Sequence, residues 1–133
     1  MKETEFRIGN YCIDKLTNSI LMIVGIREEG NIDFMVENRS NFPLQSGWQA
    51  EPIPLTKEWF LRFKFTKTAV QTYNKDFKPW TYQIEKHPSF KDGYIFFIDI
   101  HGVSAPPSIK IKYVHQLQNL YFALTGEELC PKP

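Results

Sequence analysis

The residues of this chain best suited to moving protons are its three histidines, His87, His101 and His115, because imidazole titrates near neutrality. His101 follows Asp99 by two positions. In an extended strand both side chains then share a face, the placement in which a carboxylate orients an imidazole. No nucleophile motif or third ligand accompanies the pair, which favours a surface hydrogen bond over catalysis. A small enzyme centred on Asp99 and His101 therefore ranks third among the functional readings. His87 precedes Pro88 and reads as a solvated loop residue. No HExxH, GxSxG or DxDxDG spacing occurs, and the glycines are scattered singly, so no phosphate-cradling loop is present. Cys12 and Cys130 have neither a CxxC neighbour nor a histidine at metal-ligand spacing and read as two free thiols. The sequence thus assigns no catalytic residue, no metal and no cofactor, and it leans away from an enzyme.

Nucleic acid is the next chemistry to weigh. The run Arg62-Phe-Lys-Phe-Thr-Lys67 interleaves cations with rings, and Trp80 follows. Arg62, Lys64, Lys67 and Trp80 could combine phosphate contacts with base stacking. The same pattern describes an amphipathic segment with rings inward and cations in water. A net charge of +1 gives little long-range steering, so nucleic-acid binding is the second reading rather than the first.

The C-terminal segment Ile109–Leu129 changes from alternation to helical spacing. At about 100° per residue, Tyr113, Leu117, Leu120, Tyr121 and Leu124 fall on one side with Val114 at its border, which predicts the buried stripe. Gly126 then stops the helix. Phe122 lies on the opposite side with His115, Gln118 and Asn119 as neighbours, a polar patch around one large ring. An exposed Phe there needs cover from the N-terminal segment, a loop, a partner protein or a second copy of the chain. These four residues are the candidate partner-binding or self-association site.

The elements that position these groups follow from pattern and composition. With 133 residues and 42% hydrophobic content, one domain is expected over 1–133. Aromatics at 15% exclude a disordered tail and point to a core built from rings. No basic stretch with an apolar segment opens the chain and no run approaches a membrane span, so a cytoplasmic protein without membrane contact is expected. Residues 6–37 read as a meander of about three strands, resembling a small barrel, with Ile20–Val24 buried on both faces and Glu29-Gly30-Asn31 as a turn. Residues 38–50 form a polar loop around Trp48. Thr56 caps a short helix over Lys57–Lys64 that buries Trp59, Phe60 and Phe63. Residues 66–79 fit strand and loop equally. Trp80–Glu85 and Tyr94–Ile100 make a hairpin around Lys91-Asp92-Gly93, with Tyr94, Phe96, Ile98 and Ile100 facing the core. Gly102–Ser108 with Pro106-Pro107 reads as a loop before a last strand. The fold class is therefore α+β: an antiparallel β-sheet with a barrel-like N-terminal meander (residues 1–55), then a short central helix, strands and a C-terminal amphipathic helix (56–133). A pocket between the aromatic-rich sheet and the helix could hold a nucleotide-like ligand, although no phosphate-binding residue is named by the sequence.

Three segments, Arg7-Ile-Gly-Asn-Tyr11, Pro52-Ile-Pro-Leu-Thr-Lys-Glu-Trp59 and Lys112–Leu129, resemble a family of small uncharacterised proteins of Bacteroidota genomes and their phages and mobile elements. The chain departs from that pattern at Cys12, where an aliphatic residue is usual, and at Lys64, where a glycine is usual. The resemblance implies a setting rather than a reaction. In that setting a small protein without catalytic motifs acts stoichiometrically on a host protein or a small signalling molecule, as an anti-defence inhibitor or a sponge. A non-catalytic binding protein that self-associates is the leading expectation.

Overall fold

The computed structural model describes residues 6–14, 18–26, 32–36, 43–44, 50–78, 80–86, 90, 93–100, 103–129 and 131. Expectations for Glu29-Gly30-Asn31, Trp48, His87, Lys91-Asp92, His101 and Cys130 lie outside the described residues. Antiparallel sheets and two helices make the fold α+β. The chain divides into two compact units, one of residues 1–54 with 113–128 and one of residues 55–112 with 129–133.

The first unit carries strands β1 (Tyr11–Asp14), β2 (Ile20–Ile26), β3 (Ile32–Val36), β4 (Pro43–Leu44) and β5 (Ala50–Glu51), in the order β4-β3-β2-β1-β5. The β1–β2 turn places Asn18 at φ 58°, a left-handed conformation that Asn tolerates better than most residues. The expected meander is present, but its sheet is open rather than barrel-like. The end strands β4 and β5 are two residues long and each pairs on one side only, too little ladder to wrap the sheet around. β2 is buried on one face, not both: Leu21 and Ile23 are fully buried while Val24 is exposed and Met22 half-buried.

Helix α2 (Val114–Thr125) belongs with this sheet rather than with residues 56–112, and packs against β1. It begins where the Tyr113 N–H donates to the Gln116 side-chain oxygen at 3.1 Å. It ends at Gly126, whose φ of 75° suits a residue without Cβ. Its buried side differs from the expected stripe. Val114, His115, Leu117, Gln118 and Tyr121 are buried, Leu120 and Tyr113 are half-buried, and Leu124 is exposed. Apolar spacing alone misplaced the helix because two polar residues are taken inside.

The second unit holds helix α1 (Lys57–Arg62) and strands β6 (Thr66–Ala69), β7 (Thr72–Phe77), β8 (Trp80–Glu85), β9 (Tyr94–Ile100) and β10 (Val103–Ile111), a consecutive meander ordered β10-β9-β8-β7-β6. Tyr73, Tyr82, Ile84, Phe96 and Ile111 form its buried face, with Trp59, Phe60, Phe63 and Phe65 from α1 and its exit. The Phe60 ring lies 4.8 Å from that of Tyr73 and meets Tyr94 edge-on at 4.7 Å. Helix α1 ends two residues earlier than expected. The Phe65 N–H donates to the Phe60 carbonyl and the Lys64 N–H to the Leu61 carbonyl, the paired closure of a helix that requires a left-handed residue, here Lys64 at φ 68°. Pro106-Pro107 lies inside β10, not in a loop. β10 is an edge strand whose register shifts between Ala105 and Ile109, a place where a residue without N–H is tolerated. No described helix is long and apolar enough to cross a membrane.

Candidate functional site

The polar patch expected on α2 is built into the first unit. Residues Phe6–Tyr11 make a tight turn, with Gly9 at φ 97° and the Asn10 N–H donating to the Arg7 carbonyl at 3.0 Å. This turn lies on α2. The Gln118 amide donates to the Gly9 carbonyl at 3.0 Å and its oxygen accepts from the Tyr11 N–H at 2.9 Å. The Asn119 oxygen accepts from Asn10 Nδ2 at 2.8 Å and from Arg7 Nε at 2.9 Å. The Arg7 guanidinium also pairs with Glu128 and sits 4.5 Å above the Phe122 ring, while Phe6 stacks on His115 at 4.3 Å.

His115, Gln118 and Asn119 are therefore not an outward-facing surface. His115 and Gln118 are buried beneath this turn: the Gly9 N–H and the Asn10 carbonyl pair with Ile23 of β2, while the Gly9 carbonyl and the Tyr11 N–H are left to Gln118 and Phe6 covers His115. Phe122 remains 40% exposed beneath Arg7. The cover it requires comes from the N-terminal segment, and Arg7-Ile-Gly-Asn-Tyr11 and His115–Phe122 form one structural lock.

Arg62 ends α1, Lys64 follows it, Lys67 lies on β6 and Trp80 starts β8. The Arg62 guanidinium lies 4.5 Å above the Trp59 ring. Lys67 pairs with Tyr73 near the start of β7, whereas Trp80 pairs with Phe77 at its end, a separation along the sheet of roughly 13 Å. Asp99 sits opposite Thr81 and Ser104 in the sheet, and its Oδ1 is buried without a hydrogen-bond partner among the described residues. No group of three or more His, Cys, Asp or Glu capable of holding a metal occurs among the described residues. Cys12 is fully buried. Burial first, and Asp14 second, push its thiol up from 9.0 to about 12, which leaves it protonated and unreactive at neutral pH.

The second unit contains a cleft of about 430 Å³ between the start of α1 and the sheet. Its walls are Leu55, Thr56, Lys57 and Glu58 on the helix side, Lys67, Val70, Gln71 and Tyr73 on the β6–β7 hairpin, and Lys86 and Tyr94 at the β8–β9 end. The hairpin tip is held in place because Gln71, at φ 60°, accepts the Lys86 N–H at 3.1 Å. Lys86 Nζ lies 5.0 Å from the centre of the Tyr94 ring. Three lysines, Lys57, Lys67 and Lys86, thus line the cleft together with one carboxylate, Glu58. Glu58 is held below the usual carboxylate range, chiefly by its own backbone N–H and then by the Thr56 hydroxyl. Burial raises the Tyr73 and Tyr94 hydroxyls, so both stay protonated and able to donate as well as accept at neutral pH.

Of the candidate binding residues named from the sequence, only Lys67 lines this cleft. Lys57, Gln71, Tyr73, Lys86 and Tyr94 come from four separated segments that carry no common spacing, and only the fold brings them together. The chain matches no family model, no curated protein and no solved structure.

Proposed function

We propose that the chain is a non-catalytic binding protein that takes up a small anionic molecule in the cleft of its second unit. The observation that carries this reading is the convergence of Lys57, Lys67 and Lys86 on a cavity of about 430 Å³ with tyrosine and glutamine walls. That volume falls within the roughly 300–1,000 Å³ of ordinary small-molecule sites. Ammonium groups held in a concave site attract an anion more strongly than the same groups on a convex surface, because water is partly displaced between the charges. In the phage or mobile-element setting that the three motifs imply, one-to-one capture of a signalling molecule makes the protein a sponge.

Isothermal titration at low salt with inorganic phosphate, pyrophosphate and 5′-mononucleotides tests this reading. Saturable one-to-one binding is expected, weakened by about tenfold or more in Lys67→Gln/Lys86→Gln, the loss of two charge-assisted contacts. Absence of binding to every anion overturns it. Salt-sensitive oligonucleotide binding that persists in the double variant would support the nucleic-acid reading instead. Mass spectrometry of small molecules and proteins co-purifying from the host then separates a sponge from an inhibitor of a host protein.

A further inference from the structure

We infer that the occupant of the cleft is a nucleotide, its phosphate at the lysines and the N–H donors of its base at Glu58. This rests on the anion-binding reading above and narrows it. A bare anion gains nothing from a neighbouring carboxylate, which repels it, and Glu58, although it already takes its own backbone N–H and the Thr56 hydroxyl, keeps lone pairs for further donors. Glu58 lines the same cleft as Lys57, Lys67 and Lys86. Ionised, it accepts hydrogen bonds only, so it favours an occupant that is anionic at one end and donates at the other.

Size and apolar surface point the same way. An inorganic phosphate fills on the order of 80 Å³, the liquid volume of two or three waters, and would leave most of the 430 Å³ vacant. The remaining wall includes Leu55, which is buried, and Val70, which is 83% exposed at the hairpin tip. A flat ring laid against Val70 removes that apolar surface from water. Gln71 and the Tyr73 hydroxyl both donate and accept, as the hydroxyls of a ribose require.

The test titrates three probes into the intact chain and into Glu58→Gln: guanosine 5′-monophosphate, whose base presents two adjacent N–H donors, ribose 5-phosphate and inorganic phosphate. The wild type is expected to bind the nucleotide on the order of tenfold or more tighter than ribose 5-phosphate. Glu58→Gln is expected to lose on the order of tenfold for the nucleotide and to gain affinity for inorganic phosphate, since a repelling charge has gone. If Glu58→Gln strengthens all three probes, Glu58 only repels; the nucleotide inference falls and the anion site stands. If the wild type binds none of them, both fall. Should Glu58→Gln fail to fold, equal wild-type affinity for the nucleotide and ribose 5-phosphate would by itself overturn the inference.

Discussion

Replacing Gln118 with Met removes two hydrogen bonds of the lock between the N-terminal turn and α2, those to Gly9 and Tyr11, while keeping the length of the side chain. Gln118 is fully buried and serves two backbone groups, the Gly9 carbonyl at 3.0 Å and the Tyr11 N–H at 2.9 Å. The Met side chain leaves both without a partner. At about 1–3 kcal/mol for each buried group left unsatisfied, the sum is about 2–6 kcal/mol. Gly9 and Tyr11 are half-buried, so water reaches part of the exposed backbone and the lower end, about 2–3 kcal/mol, is expected. The assay is amide hydrogen exchange by NMR, which reads the first unit separately from the second. Exchange at Tyr11 and at the β1 and β2 amides should accelerate by roughly 30- to 150-fold, with amides of β7–β9 unchanged. The exposed-site substitution Leu124→Gln serves as control and should change stability by less than about 0.5 kcal/mol. A Gln118→Met protein that exchanges like the wild type would show that the turn does not depend on this side chain, and the lock would be refuted.

Three further outcomes are expected. Gly93→Ala should destabilise the second unit by about 2 kcal/mol or more in urea, because a Cβ there would stand 2.5 Å from the Ile111 carbonyl oxygen and 2.7 Å from the Phe90 ring; an unchanged midpoint would contradict the packing. Lys64→Gly should raise the stability of that unit by about 0.5–1 kcal/mol, since relief of a left-handed residue at φ 68° outweighs the added freedom of the unfolded chain; a loss measured by the same unfolding curve would contradict it. Cys12 should resist a thiol reagent at pH 8 until the protein unfolds. Its folded thiol is pushed up to about 12, so above pH 9 the unfolded chain releases a proton that the folded chain keeps. Stability should then fall with rising pH through the 9–12 window, by up to about 1.4 kcal/mol per pH unit from this group. A flat urea midpoint from pH 8 to 10.5 would contradict that assignment.

Legibility in the sequence followed how local the cause was. Trp59, Phe60 and Phe63 announced the buried side of α1 and Gly126 the end of α2, because caps and periodicity act within one turn. Lys64 closes α1 in a left-handed conformation that a glycine would adopt without strain, a requirement that no apolar pattern announces. β6 was not legible, since an exposed edge strand such as Thr66–Ala69 has no buried face to impose alternation. Pro106-Pro107 misled because proline is excluded from central strands but not from an edge with a shifted register. The side of α2 that is buried was misread because Gln118 hydrogen-bonds a turn 109 residues away in sequence, at Gly9, and His115 stacks on Phe6 at its start. Two polar motifs in one chain, Arg7-Ile-Gly-Asn-Tyr11 and His115–Asn119, were the only hint that each serves the other. The cleft left no linear trace, since its lysines and tyrosines converge only after the β6–β10 meander has formed.

The most direct test of the proposed binding function is to map where an anion acts on the protein. In a titration of the isotopically labelled chain with pyrophosphate at low salt, saturable NMR shift changes should concentrate on the amides of Lys57, Glu58, Lys67, Gln71, Lys86 and Tyr94, with the α2 amides unmoved. Shifts confined to other surfaces, or none at concentrations that saturate ordinary anion sites, would contradict the assignment of the cleft as the binding site.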